Sequence, residues 1–158
     1  MMDSQEFPFP GVRGLEHTAD LGLELEAPDL PDLFRRAAQG AMWLVLERTS
    51  DPGSPAVGSE TRTLDLAEEE LPTLLRSWLR TLLFWEETEG FVTVEVALAF
   101  SPVPLCSSPD GQAFGLHARV RGILDRGARV REIKGVTFHD LRVEREGEGW
   151  YGRVLFDV

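Results

Sequence analysis

Few side chains in this sequence could do chemistry, and they fall in strand-like or terminal positions: His17, Asp20, Lys134, His139 and Asp157. The chain ends Phe156-Asp157-Val158, so an aspartate and a terminal carboxylate bring several hard oxygen donors within one residue. With Asp20 from a second strand, such a set suits Ca²⁺ or Mg²⁺ and not a thiol-seeking metal. A frayed acidic terminus has the same spelling, so the spacing alone leaves both readings open. Lys134 stands out by composition. Of 16 basic residues, it is the single lysine among arginines. Lysine is a compact point charge on a flexible stem, and its pKa moves on burial, whereas guanidinium stays planar and charged. No glycine-rich phosphate loop, nucleophile elbow, HExxH or paired CxxC occurs. His117, flanked by strand residues, reads as structural, and the lone Cys106 as a spare thiol in a loop.

Net charge is −11 over 158 residues, which disfavours direct nucleic-acid binding by the molecule as a whole. The charge is uneven. Residues 119–134 carry Arg119, Arg121, Arg126, Arg129, Arg131 and Lys134 against Asp125 and Glu132. This basic island could meet an anionic ligand or a partner's acidic rim, or simply balance acidic helices. No apolar run approaches the roughly 18–20 residues of a membrane span. MMDSQEFPFPG lacks the basic and apolar regions of a secretory signal, and one cysteine allows no internal disulfide. A cytoplasmic protein is expected, with one domain over 12–158 and a loosely ordered segment over 1–11.

Two helices and several strands must position these residues. Leu21, Leu23 and Leu25 alternate with polar neighbours and predict a half-buried strand beginning beside Asp20. Asp29-Leu30-Pro31-Asp32 is a helix start, with an N-cap aspartate, a first-turn proline and an acid near the positive end of the dipole. Leu33, Phe34, Ala37, Ala38, Ala41, Met42 and Val45 give that helix one apolar face. Leu71, Leu74, Leu75, Trp78, Leu79, Leu82 and Leu83 define a second helix, with Pro72 in its first turn.

Residues 48–59 read as a loop, 60–66 as a weak strand, 91–100 and 114–121 as strands around a Pro/Ser/Gly loop at 101–112, and 150–156 as the last strand after a turn at 147–149. Between them, 131–143 reads as a strand with a conflict. Val136 and Phe138 share one parity while Leu141 and Val143 have the other, which a bulge near His139-Asp140 would reconcile. The resulting class is α+β: a two-layer sandwich with a largely antiparallel or mixed sheet and two amphipathic helices on one face.

Four motifs in order make the chain resemble the archease family. They are Leu15-Glu16-His17-Thr18-Ala19-Asp20-Leu21-Gly22, Trp78-Leu79-Arg80-Thr81-Leu82-Leu83, Glu132-Ile133-Lys134-Gly135-Val136-Thr137-Phe138-His139 and Phe156-Asp157-Val158. The similarity runs from about residue 12 to the C-terminus. Gly135 stands where the family usually has alanine, and Phe138 where tyrosine is common, so no tyrosine hydroxyl acts there.

The resemblance implies an accessory protein and not a stand-alone enzyme. Its partner would be the GTP-dependent RNA ligase of tRNA splicing and RNA repair, which joins 2′,3′-cyclic phosphate or 3′-phosphate ends to 5′-hydroxyl ends. The accessory promotes guanylylation of the ligase histidine and repeated turnover. It also implies a divalent metal, usually calcium with magnesium as the alternative, at Asp20, Asp157 and Val158. Lys134, His17 and His139 match other polar signature positions linked to activation. Two other roles stay open: a chaperone-like module for a tRNA-modifying enzyme such as a methyltransferase, or a metal-dependent hydrolase using Asp20, Asp157 and His17.

Overall fold

A computed structural model describes residues 7–17, 20–47, 59–105 and 108–158, leaving out the side chains of 16, 17, 20, 105 and 108–110. The elements in chain order are β1 Val12–His17, β2 Asp20–Ala27, α1 Leu30–Leu46, β3 Ser59–Glu68, α2 Leu71–Glu89, β4 Phe91–Leu105, β5 Ser108–Leu124, β6 Gly135–Val136, β7 Arg142–Glu146 and β8 Gly149–Asp157. The α+β class holds, and every strand pairing is antiparallel. The strands divide between two sheets. One has the order β1-β2-β8-β6 with β7 also on β8, and the other the order β3-β5-β4. Alternation identifies which residues face the core, but not which strands pair, so the division was invisible in the sequence.

Both helices begin as their local chemistry dictates. The Asp29 side chain accepts a hydrogen bond from the Asp32 amide at 2.8 Å, and Pro31 sits in the first turn where no amide donor is missed. Asp32 in turn pairs with Arg35 and Arg36 one turn on. The apolar stripes of α1 and α2 are buried, and the two helices touch strands of both sheets. Their mutual lock is specific: Trp78, fully buried, donates its indole N–H to the Phe34 carbonyl at 3.0 Å. A buried indole without that acceptor would carry an unmet donor. Helix α2 runs six residues past its last stripe leucine, Leu83, and ends at Gly90, whose left-handed φ of 70° suits glycine.

Three expectations are revised. The loop placed at 101–112 is mostly ladder, with Pro102 opposite Phe114 and Pro104 opposite Gln112. β4 lies at the sheet edge, where a proline's missing N–H costs no ladder bond. The N-terminal segment is tied down where it is described: the Phe7 and Phe9 rings lie 6.4 and 6.2 Å from Trp43. The loop at 48–58 and Cys106 lie outside the described residues.

The third revision concerns 131–143, which is no continuous strand. Only Gly135 and Val136 pair, a turn follows at 138–140 with Asp140 at φ 57°, and pairing resumes at Arg142. Val136 opposes Phe156 and Val143 opposes Gly152, so seven steps on one side match four on β8. The three extra residues form an oversized bulge, and an odd excess returns Val136 and Val143 to the same buried face. The parity conflict is thereby resolved, but Phe138, expected inward, is 63% exposed on the bulge.

Two predictions follow from this packing. Trp78→Ala removes a buried indole and its bond to Phe34, and is expected to cost about 3–5 kcal/mol in urea denaturation. Glu86, buried on α2 with Arg129 Nε 3.8 Å away, has its pKa raised by burial. The folded state therefore favours its protonated form. The associated stability is complete below the ordinary carboxylate value of 4.5 and is lost as pH rises through the raised value. Glu86→Gln should flatten the fall in denaturation midpoint as pH rises above about 4.5.

Candidate functional site

Strand β8 brings the sequence's polar candidates to one end of its sheet. Its ladder with β2 pairs Leu21 with Phe156, so Asp20 and Asp157 are the next residues in line. On the outer side of β2, His17 pairs with Asp20. On the other side of β8, Gly135 pairs with Asp157. His17, Asp20, Asp157 and Gly135 thus occupy successive positions in one row across four strands, each about 4.8 Å from the next. The row exists because β2 and β8 are held in register by their core-facing residues: Leu23, Leu25 and Val154 are inaccessible, and a one-residue slip would expose them.

Lys134 is fastened to this row through its backbone, its amide donating to the Asp157 carbonyl at 2.8 Å. Its side chain is exposed, as are Asp157 and Val158. The Asp157 carboxylate oxygen lies 3.8 Å from where a Cβ on Gly135 would stand, which is ordinary contact. The alanine usual in the archease family would therefore fit here without displacing that carboxylate. Among the described residues no three His, Cys, Asp or Glu side chains cluster, and the side chains of Asp20 and His17 fall outside that set. Chemically, the row offers the Asp157 carboxylate and the register position of Asp20, with the exposed Val158 next in the chain. Carboxylates are hard oxygen donors of the kind Ca²⁺ and Mg²⁺ take.

His139 is not in the row. It is exposed in the 138–140 turn, beyond the β6 bridge. Its neighbour Asp140 has a structural task, accepting from Arg142 and Arg153 at 3.2 Å each and holding the bulge against β7 and β8. His117 pairs with Asp65 at 2.7 Å on the exposed face of the other sheet, in keeping with a structural reading. The basic island is largely neutralised where it stands. Arg121 meets Glu95, Arg129 meets Glu86, and Arg131 meets Glu47 and the Leu44 carbonyl.

One contributor could not be anticipated. Arg76 on α2 donates from Nε to the Val136 carbonyl at 2.7 Å and lays its guanidinium 3.9 Å over the Phe138 ring. Burial lowers its pKa from the ordinary arginine value, and Arg80 one turn away adds to that effect. The residue ties the bulge to the helix and gives exposed Phe138 a fixed seat. In sequence it was one more arginine on a polar helix flank.

The comparisons with known proteins agree in extent and fold. The family model described as "Archease protein family (MTH1598/TM1083)" matches residues 13–158. Protein archease of Thermococcus gammatolerans is 29% identical over 148 residues, covering 90% of this chain and 95% of that protein. Protein archease of Archaeoglobus fulgidus is 27% identical, covering 92% and 98%. The solution structure of Methanobacterium thermoautotrophicum protein 1598 superimposes with a TM-score of 0.68 at 25% identity, covering 94% of this chain and 99% of that one. The crystal structure of a Thermotoga maritima archease, described as a possible chaperone, gives 0.55 at 20% identity and supports the fold alone. A family model spanning nearly the whole chain, on the same two-sheet framework, settles membership: the chain belongs to the archease family of accessory proteins.

Proposed function

We propose that this protein activates a GTP-dependent RNA ligase, promoting guanylylation of the ligase and its repeated turnover in tRNA splicing or RNA repair. The observation that carries the reading is the row at the end of β8, where Asp20 and Asp157 adjoin and Lys134 is bonded to the Asp157 backbone. In this reading the chain has no catalytic residue of its own and serves chemistry done on the ligase. Asp20, Asp157 and Val158 would hold a divalent ion, Ca²⁺ or Mg²⁺, whose charge complements phosphate oxygens. Lys134, exposed on a flexible stem, supplies a movable cation for a nucleotide phosphate or for the acidic pair itself. His17, opposite Asp20 in the ladder, would act in activation of the ligase. His139, outside the row, would contact the partner from the bulge. The net charge of −11 steers the molecule toward a basic, RNA-binding cleft on the ligase and away from RNA itself.

The test is ligase guanylylation with labelled GTP, with and without this protein. Added protein should raise the turnover number above one, and Asp20→Ala or Lys134→Ala should lower the stimulation at least tenfold, about 1.4 kcal/mol. Stimulation equal to wild type by both variants would remove the row from the reading. Calorimetric titration of the chelator-stripped protein with Ca²⁺ should show one site, lost in Asp157→Asn. Turnover of RNA or nucleotide with no ligase present would instead favour a hydrolase.

A further inference from the structure

Beside the row, between α2 and residues 133–136, lies an open groove of about 440 Å³. Leu66, Leu83 and Ile133 contribute apolar lining, and Phe84, 60% exposed, adds an unpacked ring. Its charged residues are Arg80, Lys134 and Glu87. Most arginines of this protein are held by carboxylates or carbonyls, among them Arg35, Arg36, Arg62, Arg131 and Arg142. The side chains of Arg80 and Lys134 differ. Both are exposed, and neither makes a hydrogen bond or ion pair among the described residues. Two unpaired cations thus line one groove with an exposed aromatic ring, in a molecule that is otherwise strongly acidic.

We propose that this groove seats an extended acidic segment of the protein partner, a carboxylate meeting Arg80 and Lys134 and an adjacent apolar side chain packing on Phe84. Charge complementarity argues for the acid, since the two cations outnumber the one lining carboxylate. A polyanion such as RNA would meet the repulsion of the whole chain, while a short segment with one or two carboxylates feels mainly the local cations, because screening limits the reach of the rest to about 10 Å. Continuity supplies the second argument. Lys134 and Gly135 line the groove and also meet Asp157 at the end of β8, one by a backbone bond and one by pairing, so a segment seated here adjoins the acidic row. An acidic tip beside a basic groove makes a two-signed surface, which fixes orientation on a partner better than a single-signed one. Only the identification of that partner as the ligase rests on the reading above.

Two measurements test it separately. In the first, the ¹⁵N-labelled full chain is titrated with an acetylated Leu-Asp-Leu-Glu peptide, its Leu-Lys-Leu-Lys counterpart and a six-nucleotide RNA. Amide shifts at Arg80, Phe84, Ile133 and Gly135 are expected with the acidic peptide only, and should vanish in Arg80→Glu while the rest of the spectrum is retained. Equal shifts with the basic peptide or the RNA, or none with the acidic one, overturn the proposal. In the second, calorimetry compares ligase binding to wild type, Arg80→Glu and Phe84→Ala. A loss of at least tenfold in affinity is expected for Arg80→Glu, and unchanged affinity in both variants overturns the groove's role in that complex. Failure of wild type to bind the ligase would defeat the ligase reading, while the peptide result would still decide the groove.

Discussion

The antiparallel ladder between β2 and β8 is the constraint on which the rest depends. From Ala27 opposite Trp150 to Leu21 opposite Phe156, it fixes a strand that has neighbours on both sides. Its inward side carries Leu23, Leu25, Val154 and Phe156, all without solvent exposure, so the register cannot slip without exposing the core. Because the paired ladder runs out at Leu21 and Phe156, the first residue of β2 and the last of β8 come together at one end of the sheet. The acidic residues are at that end, and the apolar ladder behind them holds them side by side despite their like charge.

The bulge between β6 and β7 serves the same strand from the other side. A continuous strand over 131–143 would have covered β8 to its end with paired backbone and buried side chains. The three extra residues instead lift Phe138 and His139 into solvent and leave a two-residue bridge beside Asp157. Such an excursion needs anchoring, since after the Thr137 amide bonds the Leu155 carbonyl the chain leaves β8 until Arg142. Asp140 supplies it toward β7 and β8 through Arg142 and Arg153, and Arg76 supplies it toward α2. The backbone of the site is therefore anchored on both sides of β8, while the Lys134 side chain stands exposed.

The charge distribution acquires a physical logic once the partners are known. Arginine's planar fork suits fixed, geometrically defined pairs, and most of the arginines are found in them. The one lysine is the exposed cation bonded through its backbone to Asp157, without an ion pair among the described residues. The compositional oddity thus coincides with an environment that Lys134 shares with Arg80 and not with the arginines held in ion pairs. The buried Glu86 is the opposite case, an acid kept from water whose pKa rises for that reason.

The sequence by itself determined what short-range physics controls. Asp29 and Pro31 set the start of α1, the 3- and 4-residue spacing around Trp78 fixed the buried face of α2, and the glycines at 147 and 149 fixed the last hairpin. Even the trouble in 131–143 was visible, because parity is a local property of a strand. Tertiary structure decided which strands share a sheet, how large the bulge is, and that His17, Asp20, Asp157 and Gly135 form a row while His139 does not. It also decided that the prolines at 102 and 104 belong to an edge strand, and that Arg80 faces a groove with Lys134. The division has one cause. Side-chain periodicity tells each segment which face to bury, but the partner of that face is set by the fold, and the juxtaposition of Asp20 with Asp157 joins residues more than a hundred positions apart in the chain.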